Sequence, residues 1–340
     1  MKTLVIGAGA IGTTVAVLTK EAGYDVSVLC RSEETQKIIS GKGLTLKGAK
    51  GDHTVRFTCY KSIEEIGETK FDICFIATKY AGMAKAATDI LPCLKDNSLV
   101  VGMQNGICTS ELAEIVGKDR AVGCMLGYGA TRLSATEVDM TSLGEMYIGM
   151  PDGQHPGTLD YLKSMLDCIV PTKISDDITR QQYSKLIINS CINATSAITG
   201  KTLGEVIGDI RARKLFLAIA REGMHVAKAM KIDVPKYGKM LEYKALMIMD
   251  NAVYNSLCRY VVWLVAKLKY ASVKPSTLQS LERGEKTEID IFNGYFAEKG
   301  DEYGVPTPVN HKLTEMIHEI ENGERKITSD NLEEFRGVIF

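Results

Sequence analysis

The residues best suited to do chemistry are Lys185, Asn189 and Asn193, in the run Lys185-Leu-Ile-Ile-Asn189-Ser-Cys-Ile-Asn193. Their i, i+4, i+8 spacing puts them on one stripe of a helix. Leu186, Ile187, Ile188, Cys191 and Ile192 occupy its other faces, so most of this helix is expected to be buried. A solvated face usually alternates Glu with Lys. A single Lys above two Asn on an apolar helix instead suggests a polar seam lining a cleft. Two further groups lie downstream. Pro275-Ser276-Thr277-Leu278-Gln279 precedes a short helix ending near Gly284, and Ser276 is either its N-cap or a site residue. Lys286 to Asp290 opens a helix containing Ile291, Phe292 and Phe296, which Thr287 can cap. Glu288 then has either a first-turn role favoured by the helix macrodipole or a functional one. Spacing does not decide between them.

A different chemistry is written at the start of the chain. The apolar run Thr3 to Ile6 ends in Gly7-Ala8-Gly9-Ala10-Ile11-Gly12, followed by a helical stretch from Thr13 to Ala22 and a second strand from Asp25 to Cys30. In such a βαβ unit Gly7 permits the tight turn, Gly9 lets backbone approach a pyrophosphate, and Gly12 lets helix and strand pack closely. The pyrophosphate lies at the helix N-terminus, where free N–H groups and the macrodipole favour an anion. About 20 residues on, a binder of NAD usually places an acidic residue for the ribose diol. Here Cys30-Arg31-Ser32 stands instead, and Glu33 and Glu34 come one turn too late. Arg31 can grip a 2′-phosphate through charge-assisted bonds worth roughly 1.5–3 kcal/mol each. The expected cofactor is therefore NADP(H).

The elements that must position these groups fall into two textures. Leu44 to Leu46 and Thr54 to Thr58 read as a hairpin, and Phe71 to Ala77 and Ser98 to Met103 as buried parallel strands. The latter two end in Thr78-Lys79 and Gln104-Asn105-Gly106, and ligands of open α/β sheets bind beyond the carboxyl ends of strands. Lys79 and Asn105 are thus candidates to face the cofactor. Val122 to Leu126 and Met146 to Gly149 complete the sheet, with Gly127 to Ala130 as a loop near the cleft. From about Pro171 strand-like runs give way to helical ones. Asp176 or Asp177 caps a helix running to Thr199, where Gly200 stops it. The boundary is expected near 172, giving domains 1–172 and 173–340.

Composition sets the bounds. The 340 residues are 45% hydrophobic and 24% charged with a formal net charge of −1, which argues against nucleic-acid binding. Nine scattered cysteines, none spaced C-x-x-C, read as reduced thiols in core positions; no metal site is expected. Strand residues follow Met1-Lys2-Thr3 directly, leaving no room for a cleaved signal peptide, and the apolar run Tyr260 to Ala266 is too short to span a bilayer. A cytoplasmic protein is the expectation.

Taken together, GAGAIG at 7–12, Arg31, TK at 78–79, QNG at 104–106, KLIINSCIN at 185–193, PSTLQ at 275–279 and TEID at 287–290 resemble the ketopantoate reductase family. The resemblance covers essentially the whole chain. It implies an α/β fold, an N-terminal Rossmann-type parallel-sheet domain followed by an all-α C-terminal domain, with reduction of a small 2-oxo acid between them. By similarity, Lys185 donates the proton to the substrate carbonyl, and Asn189, Asn193 and Ser276 bind the substrate's carboxylate and hydroxyl. Asn105 bridges cofactor and substrate, Lys79 lies by the nicotinamide ribose, Glu288 contacts cofactor and substrate, and the Ala130 backbone meets the cofactor. Such chemistry is coherent: hydride addition to a ketone builds negative charge on oxygen, which a protonated lysine neutralises. Burial alone would lower the lysine's pKa, and a nearby Glu288 would oppose that.

The sequence also departs from the family. Leu203 stands where an asparagine often contacts substrate, Tyr183 replaces a tryptophan, and the stretch from Lys236 to Lys274, with Met240, Met247, Met249 and Trp263, is longer than usual. These departures leave open a reductase of the same architecture acting on another 2-oxo acid or an imine. A non-catalytic NADPH sensor would be expected to lack the proton donor, and Lys185 is present. The resemblance leaves monomer and homodimer both open.

Overall fold

The computed structural model describes residues 1–237 and 274–339. The expected apolar positions Met240, Met247, Met249, Trp263 and the run Tyr260 to Ala266 lie outside the described residues. The chain divides into two compact units, Met1–Gln182 and Tyr183–Phe340.

In the first unit, β1 (Lys2–Ile6), α1 (Ala10–Glu21) and β2 (Asp25–Leu29) form the expected opening βαβ unit. Then come α2 (Glu33–Gly41), the hairpin β3 (Leu44–Gly48) and β4 (His53–Val55), and the short β5 (Cys59–Tyr60). β6 (Phe71–Ile76), α3 (Met83–Ile90), β7 (Leu94–Gly102), α4 (Thr109–Val116) and β8 (Ala121–Met125) continue the α/β alternation. The unit closes with β9 (Gly129–Arg132), β10 (Glu137–Ser142), β11 (Met146–Gly149), α5 (Gly157–Leu166) and β12 (Thr172–Ile174).

The main sheet has the order β12-β11-β8-β7-β6-β1-β2-β5 and is parallel except where β11 runs against β8. The middle strands carry continuous apolar runs because both faces are covered: Ile73, Cys74, Phe75 and Ile76 are all buried. β1 lies between β2 and β6, the point where strand order reverses and open α/β sheets bind ligands.

Two expectations need correction. Gly129 and Ala130 are not loop residues: β9 joins a second sheet of order β4-β3-β10-β9, which also takes the hairpin. This sheet packs against α1 through Leu44, Leu46, Val138 and Met140. Every residue of α1 from Gly12 to Thr19 is buried as a result, since apolar surface meets the helix on more than one side. Strands also do not end at Pro171, because β12 pairs in parallel with β11 through Met146↔Thr172.

Helix α6 (Ile178–Thr199) follows, with Asp177 Oδ1 accepting from the Arg180 N–H at 3.2 Å and Gly200 just beyond its end. The described part of the second unit continues with α7 (Leu203–Gly208), α8 (Ile210–Ala229), α9 (Ser276–Glu282), α10 (Asn293–Tyr303) and α11 (Pro308–Glu321). α8, α10 and α11 pack on one another, and Leu215, Ile219, Phe296, Leu313 and Ile317 are buried. Glu222 of α8 is buried too. Its carboxylate accepts the Val309 and Asn310 N–H groups at 2.8 and 2.9 Å, capping the first turn of α11. The whole is a Rossmann-type sheet domain and a helical domain.

Candidate functional site

The first unit gathers its candidates by strand register. Ile6 pairs with Leu29 and with Ile76, and Ile76 with Gly102, so four parallel strands end level with one another. Gly7, Arg31, Lys79 and Asn105 follow those ends and stand along one edge of the sheet. The edge is stitched by backbone: Gly7 N–H donates to Leu29 O, Ala77 N–H to Ile6 O, and Met103 N–H to Ile76 O, at 2.9–3.0 Å.

Glycine is required here by geometry. Gly7 has φ +101°, in the region open to glycine, and a Cβ on Gly12 would fall 1.8 Å from the Gly7 carbonyl oxygen. A Cβ on Gly9 would meet nothing within 4 Å, so packing inside the protein does not explain that glycine. Gly9 is the N-cap of α1 and offers no side-chain cap to the helix. The first-turn N–H groups of Ala10, Ile11 and Gly12 therefore keep the anion-binding character of an uncapped helix start. Ala8, Ala10, Ile11, Ala77 and Ala130 are partly buried against the same core, and β9, which carries Ala130, packs on α1.

Arg31 is exposed at the end of β2. A Cβ on Gly82 would sit 3.6 Å from Arg31 Nη2 and 3.5 Å from Thr78 Oγ1, so the guanidinium and the threonine flank one glycine. Thr78 Oγ1 is buried and has no hydrogen-bond partner among the described residues. An orphaned buried hydroxyl at a strand end, near an arginine, fits a site for a nicotinamide dinucleotide better than a bare turn. Ser32 is committed elsewhere: its Oγ accepts from the Thr35 N–H at 3.2 Å and caps α2. Glu33 pairs with Lys37 at 2.8 Å on the surface of α2, in keeping with its place too late in the turn for a ribose.

Lys79 is exposed and Asn105 partly buried. What holds them is a residue to which spacing alone gave no role. Gln104, 4% exposed, donates from Nε2 to Ile76 O at 2.8 Å and to Thr78 O at 3.0 Å, clasping the ends of β6 and β7. Its signal was faint, a polar residue next to an apolar strand. Tyr80, one residue beyond Lys79, donates its hydroxyl to Glu111 Oε2 at 2.5 Å and ties the same turn to α4.

The second unit holds the other candidates. Lys185, Ile188, Asn189 and Ile192 are partly exposed along α6, while Tyr183, Leu186, Ile187 and Cys191 are buried. The accessible stripe thus follows Lys185 and Asn189 but not Asn193, which is 5% exposed. Eight residues at 3.6 per turn carry Asn193 about 80° round from Lys185, and there Ser276 and Thr277 cover it. Asn193 is a junction. Its Oδ1 accepts the Ser276 hydroxyl at 3.0 Å and the Thr277 N–H at 3.3 Å, and its Nδ2 donates to Asn189 O at 3.0 Å.

Ser276 is therefore not the N-cap of α9. Pro275 holds that position, and the Ser276 hydroxyl bonds to Asn193. Glu288 does not lie in the first turn of an α-helix either. It precedes a 3-10 turn, Ile289–Ile291, and Phe292 (φ −106°, ψ −95°) breaks the chain before α10. Thr287 is not the cap either: Glu288 holds the N-cap position of that turn, Phe292 that of α10, and Thr287 Oγ1 accepts from Ile289 N–H at 3.2 Å one residue earlier. Thr287 N–H is itself held by Glu321 Oε1 at 2.7 Å. Burial would raise the Glu321 pKa, but the Thr287 and Lys286 hydrogen bonds outweigh it and hold the carboxyl below its usual value.

Tyr183, two residues before Lys185, is fully buried. Its hydroxyl donates to Gly223 O at 2.8 Å and its ring packs against Phe296 at 5.6 Å between centroids, which anchors this turn of α6. Leu203 is buried as the first residue of α7, behind a Thr202–Glu205 capping box. Among the described residues no group of three or more His, Cys, Asp or Glu could hold a metal ion, and no helix is long and apolar enough to cross a membrane.

Comparison with known proteins matches two family profiles. Residues 3–153 match "Ketopantoate reductase PanE/ApbA" and residues 177–321 its C-terminal counterpart, "Ketopantoate reductase PanE/ApbA C terminal". A 2-dehydropantoate 2-reductase of Archaeoglobus fulgidus is 27% identical over 321 residues, covering 94% of this chain and 97% of the relative. Among solved structures, a PanE/ApbA family ketopantoate reductase from Ralstonia eutropha superposes with a TM-score of 0.79 at 23% identity, covering 96% of this chain and 100% of that one. D-mandelate dehydrogenase in a ternary structure with NADH and anilino(oxo)acetate gives 0.81 at 22% identity, over 95% and 99%.

Proposed function

Because the chain belongs to the ketopantoate reductase family, we propose that it is an oxidoreductase reducing ketopantoate (2-dehydropantoate) to (R)-pantoate with NADPH. That places it in the supply of pantothenate and coenzyme A. The observation that carries the reading is Lys185, with Asn189, on the partly exposed stripe of a helix whose Tyr183, Leu186, Ile187 and Cys191 are buried.

When bound, the nicotinamide supplies the hydride. The chain supplies the rest. Lys185 Nζ holds the proton that goes to the carbonyl oxygen, and as a cation it offsets the negative charge that gathers there. Asn189 and Ser276 orient the substrate's carboxylate and hydroxyl. Asn193 holds Ser276 in place through its Oδ1, and so acts on substrate through the serine as well as by contact. The N–H groups at the start of α1 take the pyrophosphate and Arg31 the 2′-phosphate. Lys79, Asn105 and the Ala130 backbone would hold the remainder of the cofactor, and Asn105 and Glu288 would contact substrate. No nucleic acid or membrane enters this scheme.

The test is NADPH and NADH oxidation followed with a panel of 2-oxo acids. Ketopantoate should be the best substrate, with NADPH preferred. A second reading keeps the chemistry and changes the acid. It is favoured by Leu203, which offers no hydrogen bond where the family often has asparagine, and by the likeness in fold to D-mandelate dehydrogenase. A bulkier 2-oxo acid outrunning ketopantoate would select it, and turnover with NADH alone would refute the role of Arg31.

A further inference from the structure

The turn that carries Arg31 begins at a cysteine with a second cysteine against it. Cys30 follows β2 and Cys59 opens β5, which runs parallel to β2 with Val28 opposite Cys59. Side chains two residues apart on a strand share a face, so the Cys30 side chain lies on the same side of the sheet as that of Cys59. The Cys59 thiol donates to Cys30 Sγ at 3.5 Å. Both are buried, at 6% and 7% exposed, yet the next residue, Arg31, is exposed, so this pair sits just under the surface.

We propose that Cys30 and Cys59 are an intrachain redox pair, oxidised by a peroxide to a disulfide that displaces Arg31 and weakens the grip on a phosphorylated dinucleotide. The coupling to nucleotide rests on the assignment of Arg31 given above; the thiol chemistry does not.

The Cys59 hydrogen bond favours the thiolate of Cys30 and holds its pKa below the usual thiol value, while the same bond and burial push Cys59 up. The roles are therefore unequal: Cys30 attacks first and Cys59 resolves. Cys30 thiolate attacks one oxygen of hydrogen peroxide, the O–O bond breaks, and the departing hydroxide takes up a proton as water. Cys30 is then a sulfenic acid, oxidised by two electrons. Cys59 attacks that sulfur, the S–O bond breaks, and the hydroxide leaves as water with the Cys59 proton as the S–S bond forms. Two thiols and one peroxide become one disulfide and two waters.

Closing the sulfur separation from 3.5 Å to the bonded length of about 2.05 Å requires movement. Cys59 is the less free of the two, because Gln36 Nε2 holds its carbonyl at 2.9 Å and β5 is registered against β2. Cys30, past the last paired residue of β2, is held by its N–H to Tyr60 O at 2.9 Å. The shift should therefore fall on the Cys30-Arg31-Ser32 turn.

The experiment treats the full chain with hydrogen peroxide, blocks remaining thiols by alkylation, and maps cross-linked peptides by mass spectrometry. NADPH binding is titrated before and after, and again after dithiothreitol. A Cys30–Cys59 link, an NADPH Kd raised at least about tenfold, and recovery on reduction are expected. Cys59→Ser should keep its affinity through the same treatment. Failure of the Cys30–Cys59 link to form, or over-oxidation of Cys30 without a link, overturns the pair. A link that leaves the NADPH Kd unchanged overturns the coupling. Reduced protein that binds no NADPH would sink the Arg31 assignment instead, and the peptide map would still decide the thiols.

Discussion

The two candidate regions are built from different materials. The candidate cofactor edge of the first unit is mostly backbone: an uncapped helix start, a glycine at positive φ, and carbonyls and N–H groups from four strand ends. The seam on α6 is mostly side chain, with Lys185 on an accessible stripe and Asn193 spending its Oδ1 on Ser276 and Thr277. Backbone can present the same phosphate site whatever the substrate, so the first region suits a ligand that does not change. A seam of side chains can be rewritten one residue at a time, and suits the partner that does.

That contrast can be broken most forcefully at Gly12. Gly12→Ala puts a methyl 1.8 Å from a backbone oxygen, which no rotamer can relieve. Calorimetry should find no measurable NADPH affinity and a marked fall in Tm; an intact Kd would mean the turn is not the phosphate site.

Lys185→Ala tests the side-chain region. Turnover should drop by ~10²–10⁴, the usual share of a positioned acid, while NADPH affinity stays near wild type. Steady-state kinetics beside a direct binding titration separates the two, and near-normal turnover would remove Lys185 from the chemistry.

Arg31→Ala asks whether one side chain decides the cofactor at the backbone-built edge. The preference for NADPH over NADH should shrink about 10- to 100-fold with little change for NADH itself. An unchanged ratio of kcat/KM would leave the backbone alone responsible.

The smallest effect is expected at Glu321, which supports the turn before Glu288. Its pKa is lowered in the folded chain, so its stabilisation is present above the unfolded carboxylate value and is lost as pH falls through the lower folded value. Glu321→Gln should cost about 1 kcal/mol at neutral pH, with the gap from wild type closing in the acid range. Urea melts across pH would show it; a gap independent of pH would mean packing, not charge, is at work.

Legibility divided along the same line. The opening βαβ unit, Arg31 in place of an acid, and the α6 limits at Asp176 or Asp177 and at Gly200 are legible directly, because turns, caps and glycine constraints are local. The small sheet is legible only in its hairpin: β10 pairs in parallel with β3 across some ninety residues, and the tetrad 127–130 has only glycines to suggest a loop. Ser276 and Glu288 were ambiguous for a related reason. A short polar run before a helix fits a cap equally well, and only the tertiary structure shows the serine bonded to Asn193 instead.

By itself, then, the sequence determined what short-range physics controls: the glycine turn, the helix starts and stops, the apolar strands, and the residue types able to hold a phosphate or move a proton. The tertiary structure alone decided which of them meet. It put Gln104 across two strand ends, turned Asn193 from the accessible stripe into a buried junction, and set Cys59 against Cys30. Each of those depends on register between distant segments, and register is set by how whole faces bury apolar surface, which no local pattern records.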